Sequence, residues 1–98
     1  MIAKVHKSNG SIILAVCDKE LLGKKFIEND LQLDLSSDFY NGEEVSDEKL
    51  RLLIRESYIV NLVGKKSVEF GIKEGIISKK HIIKIRNILH AQALIIKE

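Results

Sequence analysis

The sequence predicts an α+β fold: one two-layer domain over residues 1–98, with a mixed β-sheet that opens on an N-terminal hairpin and two helices packed on it. Three observations carry this. Asn9-Gly10 separates two strand-length runs, and both residue types tolerate the positive φ that a two-residue hairpin turn requires. Ser11–Cys17 is an unbroken apolar run of strand length, as expected of a central strand covered on both faces. The stretch Ser57–Gly75 then passes from an apolar segment through Gly64 into helical periodicity. There Gly64, Val68, Gly71, Ile72 and Gly75 share one face, while Lys65, Lys66, Glu69, Lys73 and Glu74 lie opposite.

In chain order, Met1–Lys7 alternates as a strand with one wetter face and pairs through the Asn9-Gly10 turn with Ser11–Cys17. Leu21–Glu28, interrupted by Gly23, reads as a short irregular or single-turn segment that carries Lys24 and Lys25 outward. Leu31, Leu33 and Leu35 alternate with polar residues as a half-exposed strand. Asp38–Glu44 reads as a loop pinned by Phe39 and Tyr40, with a turn at Asn41-Gly42. Ser46 or Asp47 caps a helix to about Glu56, whose buried stripe is Leu50, Leu53 and Ile54. Tyr58–Val63 is rich in β-branched and aromatic residues and favours a strand, with a continued helix as the alternative. The helix Lys65–Glu74 follows, ending on Gly75 as its C′ residue. Gly71 inside it costs roughly 1 kcal/mol against alanine, which close approach to a packed neighbour would offset. Ser78–His81 is a turn, Ile82–Ile85 a short strand, Asn87–His90 a connection, and Ala91–Lys97 a last strand.

Composition bounds the function classes. Ninety-eight residues, 45% hydrophobic and 31% charged, describe a chain able to bury one core rather than a disordered one. Cys17 is the single cysteine, which excludes an intrachain disulfide and fits a reducing compartment. The amino terminus lacks the pattern of a signal peptide, and no apolar run approaches the roughly 20 residues of a membrane helix. The expected location is the cytoplasm, with no membrane association. The net charge of +2 conceals a division: residues 1–27 carry +3, residues 28–58 carry −6 and residues 59–98 carry +5. Basic ends that meet in the fold would share one face.

Cys17-Asp18, at the end of a central strand, is a position where a nucleophile could sit, with His90 as the candidate base. A small cysteine packed in the core is the simpler reading. His6, His81 and His90 lack ligand spacing, and no CxxC, HxH or HExxH occurs, so no metal and no cofactor are expected. Gly64-Lys65-Lys66-Ser67 loosely resembles a phosphate-binding turn at a helix start without the glycine spacing of a Walker motif. The pairs Lys24-Lys25, Lys65-Lys66 and Lys79-Lys80, with Lys84 and Arg86, form the stronger lead, because lysines contact phosphates as point charges. The aromatic platforms of single-strand RNA readers are absent from the pattern.

Several short motifs in order resemble one family, the small archaeal proteins described as domain of unknown function 424. They are Leu14-Ala15-Val16-Cys17-Asp18, Leu21-Leu22-Gly23-Lys24-Lys25-Phe26, Phe39-Tyr40 with Gly42, Asn61-Leu62-Val63-Gly64, Gly75, and His90-Ala91-Gln92. The likeness spans nearly the whole chain and departs at Ile88-Leu89, where a glycine- or proline-containing turn is expected before His90. It implies an archaeal cytoplasmic protein of α+β fold, associated with translation. It singles out Cys17, Asp18, Gly23, Lys24, Asn61, Gly64, His90 and Gln92.

The leading expectation is a non-enzymatic RNA- or ribosome-associated module that uses a basic surface. The rivals are a protein-interaction module docking through the acidic segment Glu28–Glu48, and a small enzyme built on Cys17, Asp18 and His90.

Overall fold

The run SIILAVC forms the second strand of a six-stranded sheet and sits between two neighbours, which is why Leu14, Ala15, Val16 and Cys17 are all inaccessible to solvent. A computed structural model describes residues 1–96. Its strands are β1 (Ile2–Ser8), β2 (Ser11–Cys17), β3 (Lys25–Glu28), β4 (Leu31–Asp34), β5 (Glu43–Glu44), β6 (Ile59–Val63), β7 (Ile83–Ile85) and β8 (Ile88–Leu94). Its helices are α1 (Asp47–Glu56) and α2 (Lys65–Lys73). The main sheet runs β5-β1-β2-β6-β8-β7, and β3-β4 form a separate hairpin. β2 and β6 are parallel and every other pair is antiparallel, so the sheet is mixed as expected.

The strand register sorts side chains onto two faces. Ala3, Leu14, Val16, Val60, Leu62, Ala91 and Ala93 alternate onto the first face and pack with Leu50 and Ile54 of α1 and Val68 and Phe70 of α2. Ile2, Ala15, Cys17, Val63 and Ile85 occupy the second face. They are covered by Leu33 and Leu35 from the β3–β4 segment together with Leu21 and Tyr40. The hairpin thus adds a partial third layer to the expected two. Alternation of period 2 places successive residues of each strand in these separate cores.

Local chemistry explains the elements. Asn9 (φ 50°) and Gly10 (φ 81°) make the first hairpin turn. Ser46 caps α1 by accepting from the Lys49 amide at 3.2 Å, and Asp47 and Glu48 fill the positive first turn. Gly75 (φ 77°) closes α2 as its C′ residue. A Cβ added at Gly71 would stand 2.6 Å from Leu62 Cδ1 and 3.1 Å from Ile77, so glycine there does permit the close approach of α2 to the sheet.

Four expectations are corrected. Leu21–Glu28 is not irregular throughout: Lys19–Leu21 is a 3₁₀ turn and Lys25–Glu28 pairs fully with β4. Glu43-Glu44, read as loop, adds to the edge of β1 opposite Ile2 and Ala3. The turn placed at Asn41-Gly42 falls earlier, where Asn41 donates to the Asp38 carbonyl at 3.2 Å. Gly42 is needed because any Cβ would strike the Ala3 carbonyl. Ile88–His90 is strand rather than connection. The reversal is made by Arg86 (φ 52°) and Asn87 (φ 64°), which stand where a glycine- or proline-containing turn was expected slightly later. Lys97, at the end of the expected last strand, lies outside the described residues.

Candidate functional site

The carboxyl ends of the parallel strands β2 and β6 meet the amino terminus of α2, and a single buried carboxylate holds the three together. Asp18 follows Cys17 directly, and its amide donates to the Val63 carbonyl at 3.0 Å, extending the β2–β6 ladder by one step. Its side chain, 3% exposed, accepts from the Lys66 amide (3.0 Å), the Ser67 amide (2.8 Å) and the Ser67 hydroxyl (2.8 Å). These amides belong to the first turn of α2, where they have no intrahelical acceptor and where the helix dipole favours negative charge. Gly64 (φ 104°) turns the chain from β6 into α2 in a conformation open only to glycine, and a Cβ there would fall on the Asp18 carboxyl.

The phosphate-like turn Gly64-Lys65-Lys66-Ser67 therefore already holds its anion, and that anion is Asp18. Asp18 is committed to the fold, its carboxylate oxygens taken up by the first turn of α2. Ser67 is the partner that sequence reasoning missed. Its signal was a serine two residues into a helix that follows a glycine-terminated strand.

Cys17, Val63 and His90 stand in one row across β2, β6 and β8, on the second face. The row puts Val63 between the thiol and the imidazole, so the two are separated by two strand spacings, about 10 Å. Burial and the neighbouring Asp18 carboxylate push the Cys17 thiol up to about 11. Such a thiol is inert at neutral pH. The His90 Nδ1–H donates to the Leu62 carbonyl at 3.1 Å, which leaves Nε2 as an acceptor in the neutral ring. Burial holds this imidazole below its ordinary value of 6.5, against the opposing effect of that hydrogen bond. Cys17, Asp18 and His90 do not converge in one cleft, and no nucleophile–base pair forms.

Asn61 and Gln92 are directly opposite in the β6–β8 register, next to His90 along β8 and on the same face. Asn61 and His90 are half-buried and Gln92 is exposed. The expectation that His90 and Gln92 share a face of the last strand is met, and Asn61 joins them. Gly23 (φ 88°) makes a tight turn in which its amide donates to the Leu35 carbonyl at 2.8 Å. The Leu35 amide donates back to Lys24 at 2.7 Å. Gly23 and the Lys24 backbone thus anchor the β3–β4 hairpin, and the Lys24 side chain faces solvent.

Lys24, Lys25, Lys65, Lys66, Lys79 and Lys80 are all exposed. The ion pairs among the described residues are Lys19–Glu44 at 3.2 Å and Arg51–Glu74 at 3.1 Å, so none of these six lysines is paired there. The acidic segment is more engaged. Glu28 accepts from the Arg86 amide, Glu44 pairs with Lys19, and Asp34 accepts from Ser36, which holds its carboxyl below the usual carboxylate range. Among the described residues no three His, Cys, Asp or Glu side chains group in a way that could hold a metal ion. No helix of the described residues is long and apolar enough to cross a membrane.

A crystal structure described as an uncharacterized conserved protein from Methanopyrus kandleri superposes with a TM-score of 0.79. The alignment covers 99% of this chain and 94% of that one at 21% identity, a likeness of fold. No curated protein matches the chain. The family model described as protein of unknown function (DUF424) matches residues 6–96, nearly the full length. The matched span takes in Cys17-Asp18, Asn61–Gly64 and His90–Gln92, the positions that build the β2–β6–α2 junction and the polar row beside it, and the chain belongs to this family of uncharacterised conserved proteins.

Proposed function

We propose that this protein is a non-enzymatic, cytoplasmic RNA- or ribosome-associated module that engages phosphates through its exposed lysines. The observation that carries the reading is the state of the three lysine pairs: all six side chains are exposed and unpaired among the described residues. Lysines without intramolecular partners bring their full charge to a polyanion and release its counterions on binding. Because Asp18 occupies the first-turn amides of α2, phosphate contact falls to the ammonium groups of Lys65 and Lys66 and not to the helix terminus. The resulting binding is salt-dependent and tolerant of sequence. The neutral side chains Asn61, Gln92 and His90 suit hydrogen bonding to bases rather than to phosphates.

The test is fluorescence anisotropy with a labelled single-stranded oligouridine over a salt series. The expected result is affinity that falls linearly in log–log form. The double reversal Lys65→Glu with Lys66→Glu, or Lys24→Glu with Lys25→Glu, should weaken binding and flatten the slope by about one to two units. Equal affinity and slope in the reversed proteins would defeat the proposal.

A further inference from the structure

The main sheet has two partly open edges, and they differ in chemistry. On one side β5 covers β1 only at Ile2 and Ala3, and the uncovered remainder carries Lys4 and Lys7. Charged side chains on an edge strand oppose pairing with another copy of the same edge. On the other side β7 covers β8 only at Ile88, Leu89 and His90. From Ala91 to Ile96 that edge carries no charge, proline or glycine.

The backbone groups there are oriented for pairing. Leu89 accepts from the Gly64 amide and Ile95 donates to the Tyr58 carbonyl, so these residues direct their backbone toward β6. By the alternation of an antiparallel ladder, Gln92, Leu94 and Ile96 direct their N–H and C=O groups away from it, beyond the end of β7. Exposed apolar side chains lie on this edge: Leu94 is 62% exposed and Ile96 89%.

We infer that this edge pairs with the same edge of a second copy of the chain, making a two-fold dimer with a continuous antiparallel sheet. The occupant follows from the charge pattern. A neutral strand can face itself without setting like charges opposite one another, which the lysine-bearing edge of β1 cannot do. The register follows from β7, which blocks the edge as far as His90. Leu94 then faces Leu94 of the second copy, with Gln92 opposite Ile96 on either side. That arrangement covers Leu94 and Ile96 together and satisfies the outward backbone groups of Gln92, Leu94 and Ile96.

Sedimentation equilibrium of the full chain, over a concentration series from low to high micromolar, tests this independently of any RNA. The expected species is twice the 11.1 kDa chain mass. Leu94→Lys should give a monomer, as should Leu94→Glu, each with an unaltered circular dichroism spectrum because the side chain is exposed in the single chain. An equimolar mixture of the two should recover the dimer, since the central position would then pair opposite charges. Val5→Lys, on the rival edge, should leave the dimer intact. A wild-type protein that is monomeric at every concentration, or a Leu94→Lys protein that remains dimeric, would overturn the inference. So would failure of the mixture to associate.

Discussion

Removing the Asp18 carboxylate should destabilise this protein, because one buried side chain serves as acceptor for three donors at the start of α2. In Asp18→Ala the first turn of α2 loses its cap, worth about 1 kcal/mol. The Ser67 amide and hydroxyl, on a residue with no solvent exposure, lose their acceptor, and each buried donor left unpaired costs about 1 kcal/mol or more. The Lys66 amide belongs to an exposed residue and can turn to water, so its loss adds little. The cap is made by these same amides, so the total is about 2 kcal/mol, which at a slope of about 1.5 kcal/mol per molar urea lowers the unfolding midpoint by about 1.3 M. Asp18→Asn keeps the shape but sets an amide NH₂ among donors, and should lose roughly half as much. Equilibrium urea unfolding followed by circular dichroism reads both. A double-mutant cycle adds specificity. Gly64→Ala strains a backbone at φ 104° and places a methyl on the Asp18 carboxyl, so part of its cost should vanish when Asp18 is already alanine. A loss below about 1 kcal/mol for Asp18→Ala, or strictly additive costs in the cycle, would refute the claim that this carboxylate clamps β2, β6 and α2 together.

Three further outcomes follow from the same geometry. Cys17, buried and with its thiol pushed up to about 11, should resist a thiol-specific disulfide reagent near pH 8 in the native protein and react promptly in denaturant. Fast native labelling would contradict the buried placement. His90 is held below 6.5 in the folded state, so as pH falls through 6.5 the unfolded chain takes up the proton first. Stability should then decline with falling pH until the folded value is passed. His90→Gln should flatten that part of a pH–stability profile, and an unchanged profile would count against the assignment. Gly71→Ala should cost about 1–3 kcal/mol by overpacking against Leu62 and Ile77, and a neutral or stabilising result would show that α2 is free to move away from the sheet.

The elements that could be read from the chain were those in which one local signal sufficed. The β1–β2 turn needed only Asn9-Gly10, α1 needed only Ser46 with its acidic first turn, and β2 needed only its apolar run. β3 was obscured because KFIE is four residues long and half-exposed, and its pairing with β4 depends on the Gly23–Leu35 hydrogen bonds, which are non-local. β5 exists only because Gly42 lets the chain lie against Ala3, a contact between residues far apart in sequence. The start of β8 was displaced because Arg86-Asn87, without a glycine, adopts the turn that glycine would have marked. At the candidate site, the special character of Gly64 and the anion affinity of the α2 terminus were legible. The identity of the anion was not, since Asp18 lies 48 residues away from the Lys66 amide it accepts from. The sequence could pair Cys17 with His90 as chemistry. Only the register shows Val63 between them.

The basic-surface account is tested most directly by sedimenting the protein in native cell lysate through a density gradient at low and high salt, with and without nuclease. It predicts migration with ribosomal particles at low salt, abolished by high salt or by nuclease. A protein that stays at the top of the gradient under every condition would contradict it.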